Sequence, residues 1–172
     1  MQTVQRIHAK GLIPFYLNNL PEYALRHSGE MHPYVQVIKF LKMTGISSEN
    51  AGIVTIEFYP LAFFTNLKVY VVCPNGPWSE GWVLFLKNCE NSTDDKLIDF
   101  ILKEKLKYFL IPTEKNPRYY IYKLMRQKIP LFSLVEQQKT LQSIEGLRIK
   151  FILLKKFEWY ILYKVEISFI KE

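Results

Sequence analysis

Apolar residues along this chain fall into short runs parted by turn-forming residues, and the period of each run assigns an element. Val69 to Cys73 is a continuous, β-branched run closed by Pro74, the signature of a buried strand. A polar turn with Asn75, Gly76, Pro77, Ser79 and Gly81 follows, and a second apolar run then predicts a strand over 82–87. In 34–42, Gln36, Lys39 and Lys42 interrupt the apolar residues, and the Val and Ile content favours a strand there too. Residues 94–106 carry the clearest helical period, with Leu97, Ile98, Ile101, Leu102 and Leu106 on one face. Thr93 is placed to cap that helix. Asp94 and Asp95 sit at its positive end, and Lys103, Lys105 and Lys107 at its negative end. A short strand is expected over 108–111, before Pro112, and a helix over 118–128.

Other segments read less sharply. Leu12 to Leu20 predicts a helix with Pro14 in its first turn and Pro21 just past its end. Residues 22–33 and 44–52 read as loops, 53–67 are mixed and broken by Pro60, and 130–142 fit helix and strand alike. From Leu147 onward there is no Gly, Pro, Asn or Asp, and lysines give the main relief from apolar, β-favouring residues. Two readings stand there: a strand pair bent at Lys155-Lys156, or an extension poorly matched to the rest. Exposed, it would be an aggregation hazard. The expected fold class is α+β, a mixed β-sheet with packed helices.

Composition narrows the class. The 172 residues suit one ordinary domain, and 49% hydrophobic with 15% aromatic content can fill a core, which argues against disorder. The net charge of +7 admits anionic partners such as phosphates, coenzyme A, nucleic acid or an anionic membrane, and selects none. Two cysteines make no disulfide framework, which favours a reducing compartment. The expected location is therefore intracellular, cytoplasmic or mitochondrial, with Arg6 and Lys10 a weak targeting hint beside the plainer reading of an N-terminal extension. No run of about 18 uncharged apolar residues occurs, so no membrane span is expected.

Most catalytic constellations are missing from the residue pattern. His8, His27 and His32 have no metal-ligand spacing, so no metal is expected. There is no Gly-x-Ser-x-Gly elbow, and no two glycines lie two apart, which removes Gly-x-Gly-x-x-Gly; no Walker loop occurs either. Residues 115–128 join Lys115, Arg118, Lys123, Arg126 and Lys128 to three tyrosines without an acid. That could hold nucleic acid or another acidic partner through phosphate contacts and base stacking. The competing reading is a helix with a wet basic face and tyrosines packed beneath.

The stretch LKVYVVCPNGPWSEGWVLFLKN, residues 67–88, resembles a segment of the glycine N-acyltransferase-like family. Val72, Cys73 and Pro74 match the end of a strand in that family. Trp78, Ser79, Glu80 and Gly81 match the turn before its next strand. YLNNLP at 16–21 is similar to the family's first helix, and VQVIKFLK at 35–42 to the strand after it, so the likeness spans residues 12–145. The resemblance implies the N-terminal half of a Gcn5-related N-acyltransferase fold, moving an acyl group from acyl-CoA to an amino acid. The family's Gly-rich acyl-CoA signature and its general base lie in a half this chain does not match. No catalytic or cofactor-binding residue is therefore assigned, and the chain is expected to be a truncated relative that does not catalyse acyl transfer by itself. No cofactor is required on this reading, and acyl-CoA would be a cosubstrate only with the missing half supplied. The expected organisation is a family-like domain over 1–145 and a hydrophobic, basic tail over 146–172 foreign to the family. The turn itself is expected to be structural first, with Trp78 and Trp82 covering a sheet edge or packing on the core, and a part in substrate entry second.

Overall fold

A computed structural model describes residues 33–56, 59–73 and 79–170. The elements in order are helix α1 (Pro33–Met43), a 3-10 turn (Ile46–Ser48), strand β1 (Gly52–Thr55), helix α2 (Tyr59–Phe64), strand β2 (Lys68–Val71), helix α3 (Ser79–Cys89), helix α4 (Asp94–Lys103), strand β3 (Leu106–Pro112), helix α5 (Tyr119–Lys128), helix α6 (Pro130–Glu136), and strands β4 (Thr140–Gln142), β5 (Leu147–Lys156) and β6 (Tyr160–Phe169). The fold is α+β. One six-stranded mixed sheet runs β2-β1-β3-β6-β5-β4. β1 pairs in parallel with β2 and with β3, whereas β3–β6, β6–β5 and β5–β4 are antiparallel.

Because β2 and β3 lie on opposite sides of β1, crossovers of one hand place their helices on opposite faces. One face buries Phe85, Ile98, Ile101, Tyr122, Met125, Phe132 and Val135, from α3 to α6, against Phe109 and Phe151. The other face buries Tyr34, Val37 and Leu41 of α1, Ile46, and Leu61 of α2 against Ile53, Tyr108, Leu110, Tyr160 and Leu162. Covered on both sides, β3 reads as a nearly unbroken apolar run. Lys107 interrupts it because it bulges out: Gly52 aligns with Leu106, and the next residue, Ile53, aligns with Tyr108.

Two expected strands are helices. Residues 34–42 form α1, since Tyr34, Val37, Ile38 and Leu41 recur at helical spacing and are buried, with Lys39 and Lys42 outside. Residues 82–87 lie in α3, where Phe85 and Cys89, one turn apart, are buried and Trp82 and Leu86 pack beside them. In both segments the spacing of buried positions outweighs the strand preference of β-branched and aromatic residues. The expected strands at 69–73 and 108–111 appear as β2 and β3 with shifted ends, and the helix over 118–128 appears as α5. The helix expected over 94–106 stops at Lys103, and Leu106 opens β3 instead. Leu97, Ile98 and Ile101 are buried as expected, but Leu102 is 41% exposed and Phe100 takes its place in the core. Thr93 occupies the N-cap position without a side-chain hydrogen bond to the helix. The ambiguous 130–142 divides into α6 and β4. The helix expected at 12–20 lies outside the described residues. The run from Leu147 is a strand pair, and β6 sits between β3 and β5.

The amino end of the parallel strands is held by two similar locks. The Tyr70 hydroxyl donates to Glu104 Oε2 at 2.5 Å, and Lys68 Nζ lies 3.0 Å from the same oxygen and 4.6 Å from the Tyr70 ring centre. The Tyr108 hydroxyl donates to Glu49 Oε1 at 2.8 Å, with Lys107 Nζ 3.3 Å from Oε2. The hydrogen bonds from Tyr70 and Lys68 hold the Glu104 carboxyl below its ordinary range. Burial, then the bond to Glu104, pushes the Tyr70 phenol up to about 12. Stability from a depressed carboxyl is present above its unfolded pKa and is lost as pH falls through the folded one. Stability from a raised phenol is present below its unfolded pKa, about 10, and is lost as pH climbs toward 12. Glu104→Gln should therefore lower stability by about 1 kcal/mol at neutral pH, Lys68 being too exposed to add much. In urea titrations across pH, its deficit against wild type should vanish once Glu104 is protonated. A deficit that stays constant into acid would refute the lock.

Candidate functional site at the carboxyl end of the parallel strands

The order β2-β1-β3, in which the chain crosses from β1 to β2 on one side and from β2 back past β1 to β3 on the other, makes a topological switch point at the carboxyl ends of β1 and β3. Open α/β sheets bind ligands in the crevice at such a point. The residues gathered there are Thr55 at the end of β1, Cys73 just past β2, and Thr113 and Asn116 just past β3. α3 begins against the same end. A Cβ on Gly81 would stand 2.0 Å from the Val71 carbonyl oxygen, so only glycine lets the first turn of this helix approach β2 so closely.

Thr55 and Asn116, 2% and 3% exposed, are the buried polar residues among those described, and both lie at this end. Asn116 is fastened by its backbone and by one side of its amide. Its N–H donates to Thr113 O at 2.9 Å, its carbonyl accepts from Tyr119 N at 2.9 Å, and its Oδ1 accepts from Arg118 N at 2.8 Å. Its Nδ2 is buried and has no hydrogen-bond partner. Such an orphaned donor is costly and uncommon in a packed interior. Thr113 is tied to the β5–β6 turn, donating from N to Trp159 O at 2.8 Å and from Oγ1 to Glu158 O at 2.7 Å.

Beside this end, α5 and α6 enclose a partly buried carboxylate. Arg126 Nε lies 2.9 Å from Glu136 Oε2 and also donates to Ser133 Oγ at 3.3 Å. Burial, and then the Glu136 charge, pushes up the phenols of Tyr122 and Tyr163. Burial likewise raises the Cys89 thiol to about 12, which leaves it an inert core group. Among the described residues there is no group of three His, Cys, Asp or Glu side chains that could hold a metal, and no helix long and apolar enough to cross a membrane.

The residues singled out by sequence scatter. Cys73 is half-buried beyond β2, Glu80 is exposed in the first turn of α3, and Gly81 makes the close approach to Val71. Pro74 and Trp78, and the side chain of Ser79, lie outside what is described. The basic set does not converge. Lys115 reaches Glu158 at 3.8 Å, and Arg118 is the exposed N-cap of α5. Lys123 sits 5.6 Å from the Tyr119 ring centre, and Arg126 turns inward to Glu136. Lys123 and Lys128 fall on opposite flanks of an exposed face made by Tyr120, Leu124 and Gln127, since successive helical residues turn by about 100°. This spacing forms no phosphate-tracking stripe, and the nucleic-acid or acidic-partner reading of 115–128 is withdrawn. Sequence reading missed Asn116 because nothing in Lys-Asn-Pro marks an asparagine as buried. Its position between a strand and a helix was the available signal.

No family model and no curated protein matches the chain. The fold is similar to a solved structure, the C-terminal globular domain of an oligosaccharyltransferase from Archaeoglobus fulgidus. The TM-score is 0.46 at 13% identity, over 80% of this chain and 99% of that one. A likeness at this level transfers nothing about the site. The resemblance to the glycine N-acyltransferase-like family is corrected on structural grounds. Its central feature was strand, turn and strand over 67–88, and the second strand is helix α3; the strand matched at 35–42 is helix α1. The acyl-CoA and amino-acid partners implied by that resemblance fall with it.

Proposed function

We propose that this domain binds a small polar ligand at the switch point, and that the ligand supplies an acceptor oxygen to Asn116 Nδ2. The observation that carries the reading is the placement of both buried polar residues, Thr55 and Asn116, at the carboxyl end of the parallel strands, where sheets of this topology bind ligands, with one amide donor unspent. An unpaired buried donor persists in a stable domain where it has a role, because replacing it by an apolar group would otherwise be favoured.

The test follows the side-chain amide directly. In a ¹H–¹⁵N spectrum of the labelled chain, the Asn116 Nδ2 protons are assigned by their loss in Asn116→Asp. A panel of monosaccharides, nucleotides and small carboxylic acids is then titrated. The expected result is a downfield shift and slowed exchange of that amide with at least one member, together with a raised melting temperature that Asn116→Asp does not show. An Asn116 amide that no member of the panel moves, in a chain whose melting temperature none of them raises, overturns the proposal.

A further inference from the structure

We infer that the overhanging end of β6 is a self-pairing edge through which two copies of this chain join their sheets. The inference rests on the strand geometry and stands apart from the ligand reading. The β3–β6 ladder ends at Tyr108 opposite Lys164, while β6 runs on to Phe169 against β5. On the β3 side, residues 167–169 therefore have no neighbouring strand among the described residues. The direction of their backbone groups follows from bonds at both ends of the strand. Tyr160 O accepts from Phe157 N, and Ile170 N donates to Gly146 O, both toward β5; Trp159 O accepts from Thr113 N, toward β3. N–H and C=O groups of alternate residues point to alternate sides. The odd-numbered residues of β6 consequently face outward at the overhang, and these are Ile167 and Phe169.

The other margins of the sheet are blunted by length, bulges or lysines, and the overhang differs from them in being apolar. β2 is four residues long and β4 three. β5 beyond β4 is interrupted by a bulge between Leu153 and Lys155 and carries Lys155 and Lys156. Short strands, bulges and lysines are the usual protections of an edge. The β6 overhang instead presents Ile167 at 47% and Phe169 at 76% exposure.

The occupant that fits is a second copy of the same strand. An antiparallel pairing about a two-fold axis through Ser168 sets each Ile167 opposite the other copy's Phe169. Both residues have outward backbone groups, so each such pair exchanges two hydrogen bonds. Their side chains lie on one face and meet as one apolar patch. On the other face Ser168 meets its own copy, so no like charges are opposed. Moving the axis to Glu166 would set the two carboxylates against each other and drive the partner strand into the place of β3. Such a contact is isologous and closes after two copies.

Sedimentation velocity of the full chain, from micromolar to hundreds of micromolar, should show a concentration-dependent dimer. Ile167→Lys should raise its dissociation constant about thirtyfold or more while leaving the circular dichroism spectrum unchanged. Phe169→Lys, at a more exposed position, serves the same purpose if the first variant folds poorly. The register has its own test. Residues at a non-hydrogen-bonded pair lie about 4.5 Å apart, within disulfide reach. Ser168→Cys should therefore cross-link two copies on mild oxidation, and Glu166→Cys should not. A chain that sediments as a monomer throughout, a lysine variant that dimerises as tightly as wild type, or equal cross-linking at 166 and 168 overturns the inference.

Discussion

Phe85→Ala should destabilise the chain by about 3–5 kcal/mol, the range for removing a fully buried aromatic ring, whereas Val83→Ala should cost only a few tenths. Phe85 is wholly buried in α3, with ring centres 5.0 Å from Phe100, 6.3 Å from Tyr70 and 6.4 Å from Phe132. It thus ties α3 to α4, to the edge strand β2 and to α6, and its loss would leave a cavity that three separate elements would have to close. Val83 is 58% exposed. The contrast separates the helix from a strand, since residues two apart share a face of a strand and lie nearly opposite on a helix. Urea unfolding of the two variants measures it. Comparable losses at 83 and 85 would mean that this segment is extended, and the packing described for this face of the sheet would be wrong.

Gly81→Ala is expected to lower stability by about 3 kcal/mol, a size typical of overpacking a close contact. The sign is informative because the ordinary helix effect runs the other way. Alanine inside a helix is favoured over glycine by about 1 kcal/mol, and Gly81 is not among the positive-φ glycines of the described residues, Gly45 and Gly146. Only the close approach opposes the gain: the added methyl would meet the Val71 carbonyl oxygen at 2.0 Å, and a backbone atom in a paired strand cannot swing aside. Moving α3 away would in turn unseat Phe85. A Gly81→Ala variant as stable as wild type in urea would show that α3 stands further from β2 than described. Because α3 starts at the same carboxyl end of the sheet, the same substitution should also disturb ligand binding there.

Legibility differed element by element. β3 was readable because a strand buried on both faces is a bare apolar run, and α4 because Leu97, Ile98 and Ile101 repeat on one face beneath an acidic start. α1 and α3 were misread for a shared reason. Valine, isoleucine, tryptophan and phenylalanine carry strand preference, yet strand preference reflects fit to a pleated, half-buried surface, and neighbours decide whether that surface exists. In α1 the spacing of Tyr34, Val35, Val37, Ile38 and Leu41 held the helical signal, and the Val and Ile content masked it. Leu102 shows the same limit at one residue. It belongs to the apolar set of α4, but its angle around the helix sends it to solvent while Phe100 goes inside. The helix over 118–128 was located correctly, and the anion-binding reading of 115–128 was not, because its cations point in several directions and Arg126 is consumed by Glu136.

By itself the sequence determined the class and the local pieces. Enough apolar residues to fill a core, turn residues spaced between short runs, and the β-rich stretch after Gly146 are properties of composition and of near neighbours, and they require an α+β chain with several strands. The tertiary structure decided what no local window contains. It placed β6 between β3 and β5, brought α3 against β2 at Gly81, and sent β2 and β3 to opposite sides of β1. These are contacts between residues far apart in the chain, set by which faces must be buried together. The candidate site depends on them entirely. Thr55 and Asn116 become a pair of buried polar groups at one end of a sheet only after the chain has crossed that sheet in both directions, and the open edge of β6 exists only because β3 is the shorter strand.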